Sequence, residues 1–279
     1  MIPGHDFGGR GPVLHFLHAN GYPPQAYRPL LERLAQHRRV MAMRMRPLWP
    51  DCRPAEVHNW RPFAGDLAAY LDQEQLGPVI GVGHSVGGNA TLRLALQQPQ
   101  RFRAVVLLDP VIFLPQATYL WELTYRLGLA YRVHPLVKGA LRRRSAFESR
   151  QAMFANYRKK PVFARMDDAA LSAYVDSLAC EQADGSLALC YPPDWEARIY
   201  VTSLRADLEI WRSLPGLQPP LLVVRGALTD TFSEASAALF QRKLPGARIV
   251  SLPETTHLVP LEAPAAVAGL IETFLDQVR

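Results

Sequence analysis

The chain has 279 residues, of which 49% are hydrophobic, and a formal net charge of +6. This length is enough to bury a large core as one domain with an insertion. No uninterrupted apolar run approaches about 18 residues, which argues against a transmembrane helix and stable membrane insertion. The first ten residues lack the apolar segment of a secretory signal, and no phosphate-binding loop or zinc pattern occurs. We therefore expect no cofactor and no metal.

Six short apolar runs predict β-strands, because they are bounded by Gly, Pro or Asp and most are too short for helices. They cover residues 13–17, 40–45, 79–82, 104–108, 221–224 and 247–252. Helix-length segments lie between them, at 25–36, 63–75, 89–97, 233–243 and 263–278. Strands that alternate with helices predict a parallel sheet covered on both faces, an α/β fold.

The segment Gly83-His84-Ser85-Val86-Gly87 lies where a predicted strand gives way to a helix. Glycines two residues to either side leave room for a serine in a strained, exposed turn, which is typical of a nucleophile elbow. Ser85, Asp109, Asp230 and His257 all fall just after predicted strands. Active groups of a parallel sheet gather at the carboxyl ends of its strands, so these residues are candidates for one site.

Four sequence motifs are relevant to the chemistry: His18 to Gly21, the Ser85 elbow, Arg225 to Asp230, and Thr256 to Glu262. On these motifs the chain resembles the α/β-hydrolase fold family of serine hydrolases, of the esterase and lipase kind. The resemblance implies a mostly parallel sheet flanked by helices, with an inserted, mainly helical cap. Only a dozen residues precede the first clear strand, so the first two strands of the family look trimmed or degenerate.

The resemblance implies a catalytic triad of Ser85, Asp230 and His257, in the order Ser, Asp, His that this fold uses. A serine hydroxyl is a poor nucleophile without an adjacent base, and His257 is the predicted base. An acid behind the histidine fixes its tautomer, and Asp230 stands in the usual place of the family. Asp109 remains the alternative, either as the triad acid or as an N-cap of the next segment.

The tetrahedral intermediate of acyl transfer needs two donors that face its oxyanion. We predict the backbone N–H of Val86, at the start of a helix, and that of Asn20, after the His18-Ala19 turn. The family usually has His-Gly at this turn, whereas this chain has His18-Ala19. His18 is expected to brace the turn.

The interval between Asp109 and Leu221 is too long for a simple connection. Residues 115–144, 145–157 and 168–176 have helical spacing of apolar residues, which predicts a helical cap. The predicted domains are therefore a core of residues 1–112 and 206–279 and a cap of residues 113–205.

Charge and cysteines bear on partners and location. Residues 126–165 contain eleven Lys and Arg and one acid, Glu148. This indicates either a solvated helical face or a cap that attracts anionic substrates or an acidic lipid surface. Nucleic-acid binding is not expected, because no recognised motif accompanies the charge.

The three cysteines are odd in number and lack metal-ligand spacing, which suits a reducing compartment and predicts a cytoplasmic protein.

The sequence thus predicts a cofactor-free serine hydrolase that cleaves a small carboxylic ester with an apolar acyl or alcohol part. Thioesters, lactones and C–C bonds next to a carbonyl remain open, since the same triad serves them. The alternative of another class is a small-molecule receptor or interaction protein that keeps the fold without turnover. The sequence does not indicate an oligomeric state.

Overall fold

A seven-stranded β-sheet forms the centre of the protein, in a computed structural model that describes residues 1–278. Its strands, in chain order, are β1 (Gly4–Gly8), β2 (Val13–Leu17), β3 (Arg39–Met43), β4 (Val79–His84), β5 (Phe102–Leu108), β9 (Leu221–Gly226) and β10 (Arg248–Leu252). The order across the sheet is β1-β3-β2-β4-β5-β9-β10. All neighbours are parallel except β1 and β3, which are antiparallel.

Helices cover this sheet as the alternating pattern predicts. They are α1 (Arg28–Leu34), α2 (Arg61–Gln73), α3 (Val86–Gln97), α11 (Glu234–Lys243), α12 (Val259–Glu262) and α13 (Pro264–Gln277). All six residues of β4 are buried, although successive side chains of a strand point to opposite faces. The sheet is therefore covered on both faces at β4, where the Ser85 elbow begins.

One strand forms where the sequence indicated none. β1 alternates exposed and half-buried residues and lies at the edge of the sheet. An edge strand with one solvated face needs no continuous apolar run, and its Gly and Asp content is unfavourable for strands in general. The N-terminal residues therefore contribute an antiparallel edge strand to the sheet.

The inserted segment, residues 113–205, lies between β5 and β9. It contains α4 (Pro115–Arg126), α5 (Ala130–Val133), α6 (Val137–Leu141), β6 (Ala146–Phe147), α7 (Arg150–Arg158), α8 (Asp168–Leu178), β7 (Ala179–Glu181), β8 (Leu187–Leu189) and α9 (Pro193–Val201). α10 (Asp207–Ser213) then leads back to β9. Helices dominate, but β6, β8 and β7 form a small antiparallel sheet that the helical spacing did not predict. Gly128, with φ of +72°, lies between α4 and α5 and divides the predicted long helix.

The cysteines differ from their interpretation in the sequence. Cys180 in β7 and Cys190, just after β8, form a disulfide with their Cα atoms 5.3 Å apart. The antiparallel pairing of β7 with β8 places Cys180 opposite Ala188, two residues before Cys190, so the two cysteines are diagonal neighbours across the strand pair. Cys52 is free. An odd cysteine count therefore did not mean that all three were unpaired.

Candidate active site

The turn after β4 holds Ser85 in a conformation that few residues adopt, with φ of 57° and ψ of −120°. The two glycines make the turn possible. A Cβ on Gly83 would collide with the backbone of Gly87, and one on Gly87 would collide with the carbonyl oxygen of Leu17. The close approach at Gly87 brings the start of α3 against the end of β2. The elbow and the His18-Ala19 turn are therefore neighbours.

Three side chains from separate loops form one hydrogen-bonded row. The Oγ of Ser85 lies 3.0 Å from Nε2 of His257. The Nδ1 of the same ring lies 2.9 Å from Oδ1 of Asp109. Serine, imidazole and carboxylate in this order can transfer a proton from the hydroxyl while the carboxylate orients the ring.

The carboxylate of Asp109 is fully buried and both of its oxygens have partners. Oδ2 accepts the N–H of Gly226 at 2.8 Å, and Oδ1 accepts the hydroxyl of Thr229 at 2.8 Å as well as facing His257. These bonds fix the carboxylate behind the ring. They also compensate for its removal from water.

The prediction that Asp230 lies behind His257 is wrong. The side chain of Asp230 is exposed, and its Oδ1 accepts a hydrogen bond from the hydroxyl of Thr231. The Arg225 to Asp230 motif still reaches the site, but through Gly226 and Thr229, which hold Asp109. Asp109 immediately follows β5, one strand away from β9, and that position was the available signal for it.

The turn beside the elbow is shaped by His18, which is buried. Its Nδ1–H donates to the carbonyl of Ala19 at 2.8 Å, and its Nε2 accepts the N–H of Met45 at 3.0 Å. Burial lowers the pKa of His18 to about 4, so the ring is neutral near pH 7. A neutral ring is what this arrangement requires, because protonation of Nε2 would break the bond from Met45.

The two predicted oxyanion donors flank this contact. Val86 is the first residue of α3, where N–H groups have no acceptor within the helix. The N–H of Asn20 donates to no acceptor among residues 1–278. The side chain of Asn20 is held from the inserted segment: its Nδ2 donates to the carbonyl of Glu196 at 3.0 Å, and its Oδ1 accepts the hydroxyl of Tyr191 at 2.9 Å.

A second hydrogen-bonded chain links the turn to the histidine loop. The N–H of Ala19 donates to the hydroxyl of Tyr27, which in turn donates to Nδ1 of His84 at 2.7 Å. The Nε2–H of His84 donates to the carbonyl of His257 at 2.9 Å. Burial, together with the neighbouring His257, lowers the pKa of His84 well below its ordinary value. A neutral His84 thus couples the position of Ala19 to that of His257.

Comparison with known proteins agrees with this architecture. A model described as the alpha/beta hydrolase family matches residues 16–270. The chain belongs to the alpha/beta hydrolase family. The predicted fold class is confirmed. The crystal structure of an E-2-(acetamidomethylene)succinate hydrolase covers 98% of this hydrolase and 94% of its own chain, with a TM-score of 0.77 and 23% identity.

Two curated relatives are similar to this hydrolase in sequence. A 2-(acetamidomethylene)succinate hydrolase of Mesorhizobium japonicum is 26% identical over 271 residues, which is 96% of this chain and 89% of that protein. A type I acyl-CoA thioesterase of Penicillium brevicompactum is 30% identical over 111 residues, which is 34% of this chain. The match spans only 25% of the length of that thioesterase.

The described part of this hydrolase contains neither a group of metal ligands nor a membrane-spanning helix. Within residues 1–278, no three His, Cys, Asp or Glu side chains are grouped so that they could hold a metal ion. No helix in the same range is both long and apolar enough to cross a membrane.

The unfolding free energy of this hydrolase is expected to fall as pH is lowered from about 6.5 to about 4. The pKa of His18 is about 4 in the folded state, against 6.5 ordinarily. The unfolded chain therefore binds a proton in this window that the folded chain does not, which removes up to ~3 kcal/mol of stability. Urea unfolding across the pH series measures this loss. His18→Gln should reduce the dependence by the part that His18 contributes, whereas the buried His15 and His84, whose pKa values burial also lowers, should maintain the rest. His37→Gln, an exposed control, should leave the dependence unchanged.

A buried ion pair that the sequence did not indicate lies next to the predicted oxyanion turn. Arg143 was one of many cations in a basic run, but only 7% of its side chain is exposed. It donates to the carboxylate of Glu196 at 2.6 Å and to the hydroxyls of Tyr157 and Tyr174 at 3.0 and 2.5 Å. A Cβ on Gly21 would lie 3.3 Å from Cδ of Glu196, so the pair touches the turn.

Arg143→Met should lower the free energy of unfolding by ~3–5 kcal/mol, because it leaves the carboxylate of Glu196 buried without its partner. The double variant Arg143→Met/Glu196→Met should lose less than Arg143→Met alone. Arg144→Met is the matched control: its side chain is 51% exposed and lies 3.9 Å from Glu148. Its cost should stay below ~1 kcal/mol. Equal losses for Arg143→Met and Arg144→Met in urea unfolding would contradict a structural role for the pair.

Proposed function

We propose that this protein is a serine hydrolase that cleaves small carboxylic esters through an acyl-enzyme, with Ser85 as nucleophile, His257 as base and Asp109 as the orienting acid. The observation that carries the proposal is the hydrogen-bonded row from Ser85 Oγ through His257 to Asp109. A carboxylate nucleophile, as in related dehalogenases and epoxide hydrolases, is absent at the elbow, where Ser85 stands.

In the first half-reaction, Oγ of Ser85 bonds to the ester carbonyl carbon while its proton passes to Nε2 of His257. Asp109 accepts the Nδ1–H of the ring and stabilises the imidazolium. The carbonyl oxygen becomes an oxyanion, which we propose receives the N–H groups of Asn20 and Val86. The bond to the alcohol oxygen then breaks, and His257 returns the proton to the leaving alcohol.

The second half-reaction uses water in place of serine. His257 takes a proton from the water as its oxygen attacks the acyl carbon. The same two N–H groups stabilise the second oxyanion. The bond to Oγ of Ser85 breaks, the serine recovers its proton from His257, and the carboxylic acid leaves.

We propose that residues 113–205 act as a cap on a core of residues 1–112 and 206–279. The bonds from Glu196 and Tyr191 to the side chain of Asn20 support this, because they join the inserted segment to the predicted oxyanion turn. A cap that contacts the turn contributes to the substrate pocket. The apolar acyl or alcohol part of the substrate would lie against it.

A cytoplasmic location remains a proposal, and the Cys180–Cys190 bond is the observation against it, since disulfides persist in oxidising compartments. Thiol trapping in cells decides the matter. Reduced Cys180 and Cys190 would support the cytoplasm, and a bonded pair would place the protein elsewhere.

The function is tested with aryl esters of graded acyl length, alongside acyl thioesters, lactones and C–C-cleavage substrates with an activated carbonyl. We expect turnover of at least one aryl ester above about 1 s⁻¹, with kcat/KM for esters above that for the comparators. A stoichiometric burst and an acyl mass increment on Ser85 should accompany it.

Two outcomes would contradict the proposal in different ways. A higher kcat/KM for a comparator class would keep the acyl-enzyme and change the substrate class. Ligand binding with a single slow acylation and no turnover on any class would indicate a receptor that retains the fold.

A further inference from the structure

The outward side of the inserted segment carries an unusual number of exposed apolar side chains. We call this surface the outer face, defined by nine large residues that are 38% to 67% exposed. They are Tyr119, Leu120, Leu123, Leu127, Leu129, Tyr131, Val133, Leu136 and Leu141. Scattered single apolar residues are ordinary on a protein surface, but nine within 23 consecutive positions are a concentration of the kind found at interaction sites.

The helices that carry the outer face have small residues on the side that packs against the protein and many large apolar residues on the side that faces solvent. Their inward side packs through small residues, since Ala130, Val137 and Ala140 are buried against Ala197 and Val201. Most of the large apolar residues of the same helices point to solvent, and the exceptions are Trp121 and Tyr125 of α4, which pack against this cluster. A helix stabilised only by packing within the chain would bury its large apolar residues and expose the small ones.

α4 shows this most clearly. Leu120, Leu123 and Leu127 recur at the spacing of one helical face and are each more than half exposed. The opposite side of α4 contains Trp121, whose indole N–H donates to the carbonyl of Val201 in α9. The leucine stripe therefore faces away from the rest of the protein.

Cations accompany these apolar residues. Arg132, Lys138 and Arg142 are exposed and have no ion-pair partner among residues 1–278. Arg126 is also exposed and shares the carboxylate of Glu122 with Arg205. The outer face is thus apolar and positively charged.

We propose that the outer face docks the protein on an anionic lipid surface. Apolar side chains that enter the headgroup region, bordered by Lys and Arg that contact lipid phosphates, are the features of peripheral binding. Charge argues against a second copy of this chain as occupant, because a two-fold contact would bring the cations of one copy against those of the other. Docking of this kind needs no spanning helix.

The proposal goes beyond ester hydrolysis and does not depend on it. α6 packs on α9, and the carbonyl of Glu196 in α9 holds Asn20. α9 therefore lies between the helices of the outer face and the predicted oxyanion turn. A docked molecule would hold its candidate site one helix layer from the lipid headgroups.

Vesicle co-sedimentation of the full chain tests the proposal. We expect binding to vesicles of phosphatidylcholine and phosphatidylserine at about two to one, and at least about 10-fold weaker binding to phosphatidylcholine alone. Binding should weaken as salt is raised from about 0.1 M to about 1 M, since the charges are then screened. Equal binding to both vesicle types, or none to the anionic vesicles, would overturn the proposal.

Matched variants locate the contact. Arg132→Gln/Lys138→Gln/Arg142→Gln should weaken binding by about 100-fold, and Leu120→Ser/Leu123→Ser/Leu127→Ser by at least about 10-fold. The controls are Arg10→Gln/Arg33→Gln/Arg242→Gln and Val162→Ser/Leu228→Ser, which change exposed residues outside the outer face. All variants change exposed residues, so they should keep the melting temperature.

The controls also supply the remaining outcomes. Equal weakening by the control cations would mean that net charge alone binds the vesicles, which overturns an outer-face site. If the leucine triple variant instead converts a dimer to a monomer in sedimentation while vesicle binding is unchanged, the outer face is an interface between copies, and the lipid proposal is wrong. Esterase activity enters none of these readouts, so a failure here is separate from a failure of the proposed function.

Discussion

Asp109→Asn is expected to lower kcat by about 10⁴-fold, whereas Asp230→Asn should leave kcat within about twofold. An amide at position 109 can donate to Nδ1 of His257 and so stabilises the tautomer that cannot accept the proton of Ser85. Asp230 is exposed, and among residues 1–278 its carboxylate accepts a hydrogen bond only from Thr231, so it does not hold the ring of His257. Steady-state kinetics with the best aryl ester of the panel measure both values.

The comparison contains its own control, because both changes replace a carboxylate by an isosteric amide. Asp230→Asn should shift the free energy of unfolding by no more than about 0.5 kcal/mol. A large loss of kcat in Asp230→Asn, with Asp109→Asn active, would return the acid to the position that the motif alone had favoured.

Ser85→Ala and His257→Ala are each expected to lower kcat by about 10⁶-fold, and the double variant should be no slower than either. In the proposed mechanism both side chains take part in a single proton transfer, so removal of one would already abolish the step. The residual rate would then come from the oxyanion donors and substrate binding. Single-turnover assays at high enzyme concentration reach the low rates required.

Folding is checked for these variants by their melting temperatures, which should remain close to that of the wild type. Two losses that multiply in the double variant would show that Ser85 and His257 act in separate steps. That result would contradict the proposed function, which rests on the hydrogen-bonded row of Ser85, His257 and Asp109, but it would not bear on the fold.

The predictable parts of the molecule are those fixed by buried apolar runs. β4 and β5 are apolar strands buried on both faces, so composition alone indicates them and the loops that follow. The position of Ser85 follows from this, since it comes directly after β4. His257 comes after β10, whose residues are only half-buried or exposed, so its position was indicated by a short apolar run and the Thr256 to Glu262 motif instead. β1 was not predicted from the sequence because an edge strand does not need an apolar run.

The acid could not be chosen from the sequence because Asp109 and Asp230 both follow strands. What separates them is the end of β9, where the chain turns so that Gly226 and Thr229 point at Asp109. Such a choice depends on loop geometry in three dimensions. The Arg143–Glu196 pair could not be predicted from the sequence for a similar reason. Its members are 53 residues apart, and Arg143 lies in a run of basic residues.

The bonds between Asn20 and the inserted segment imply that the site cannot both be open to substrate and have a fixed Asn20. If α9 moved away to admit a substrate, Asn20 would lose the carbonyl of Glu196 that orients it. In the proposed mechanism, an open molecule would then lack a fixed oxyanion donor at Asn20, and Ser85 would react slowly. Ser85 would become reactive again only after α9 had closed over the bound substrate. In the open molecule, where bulk water reaches Ser85, the serine would be inactive.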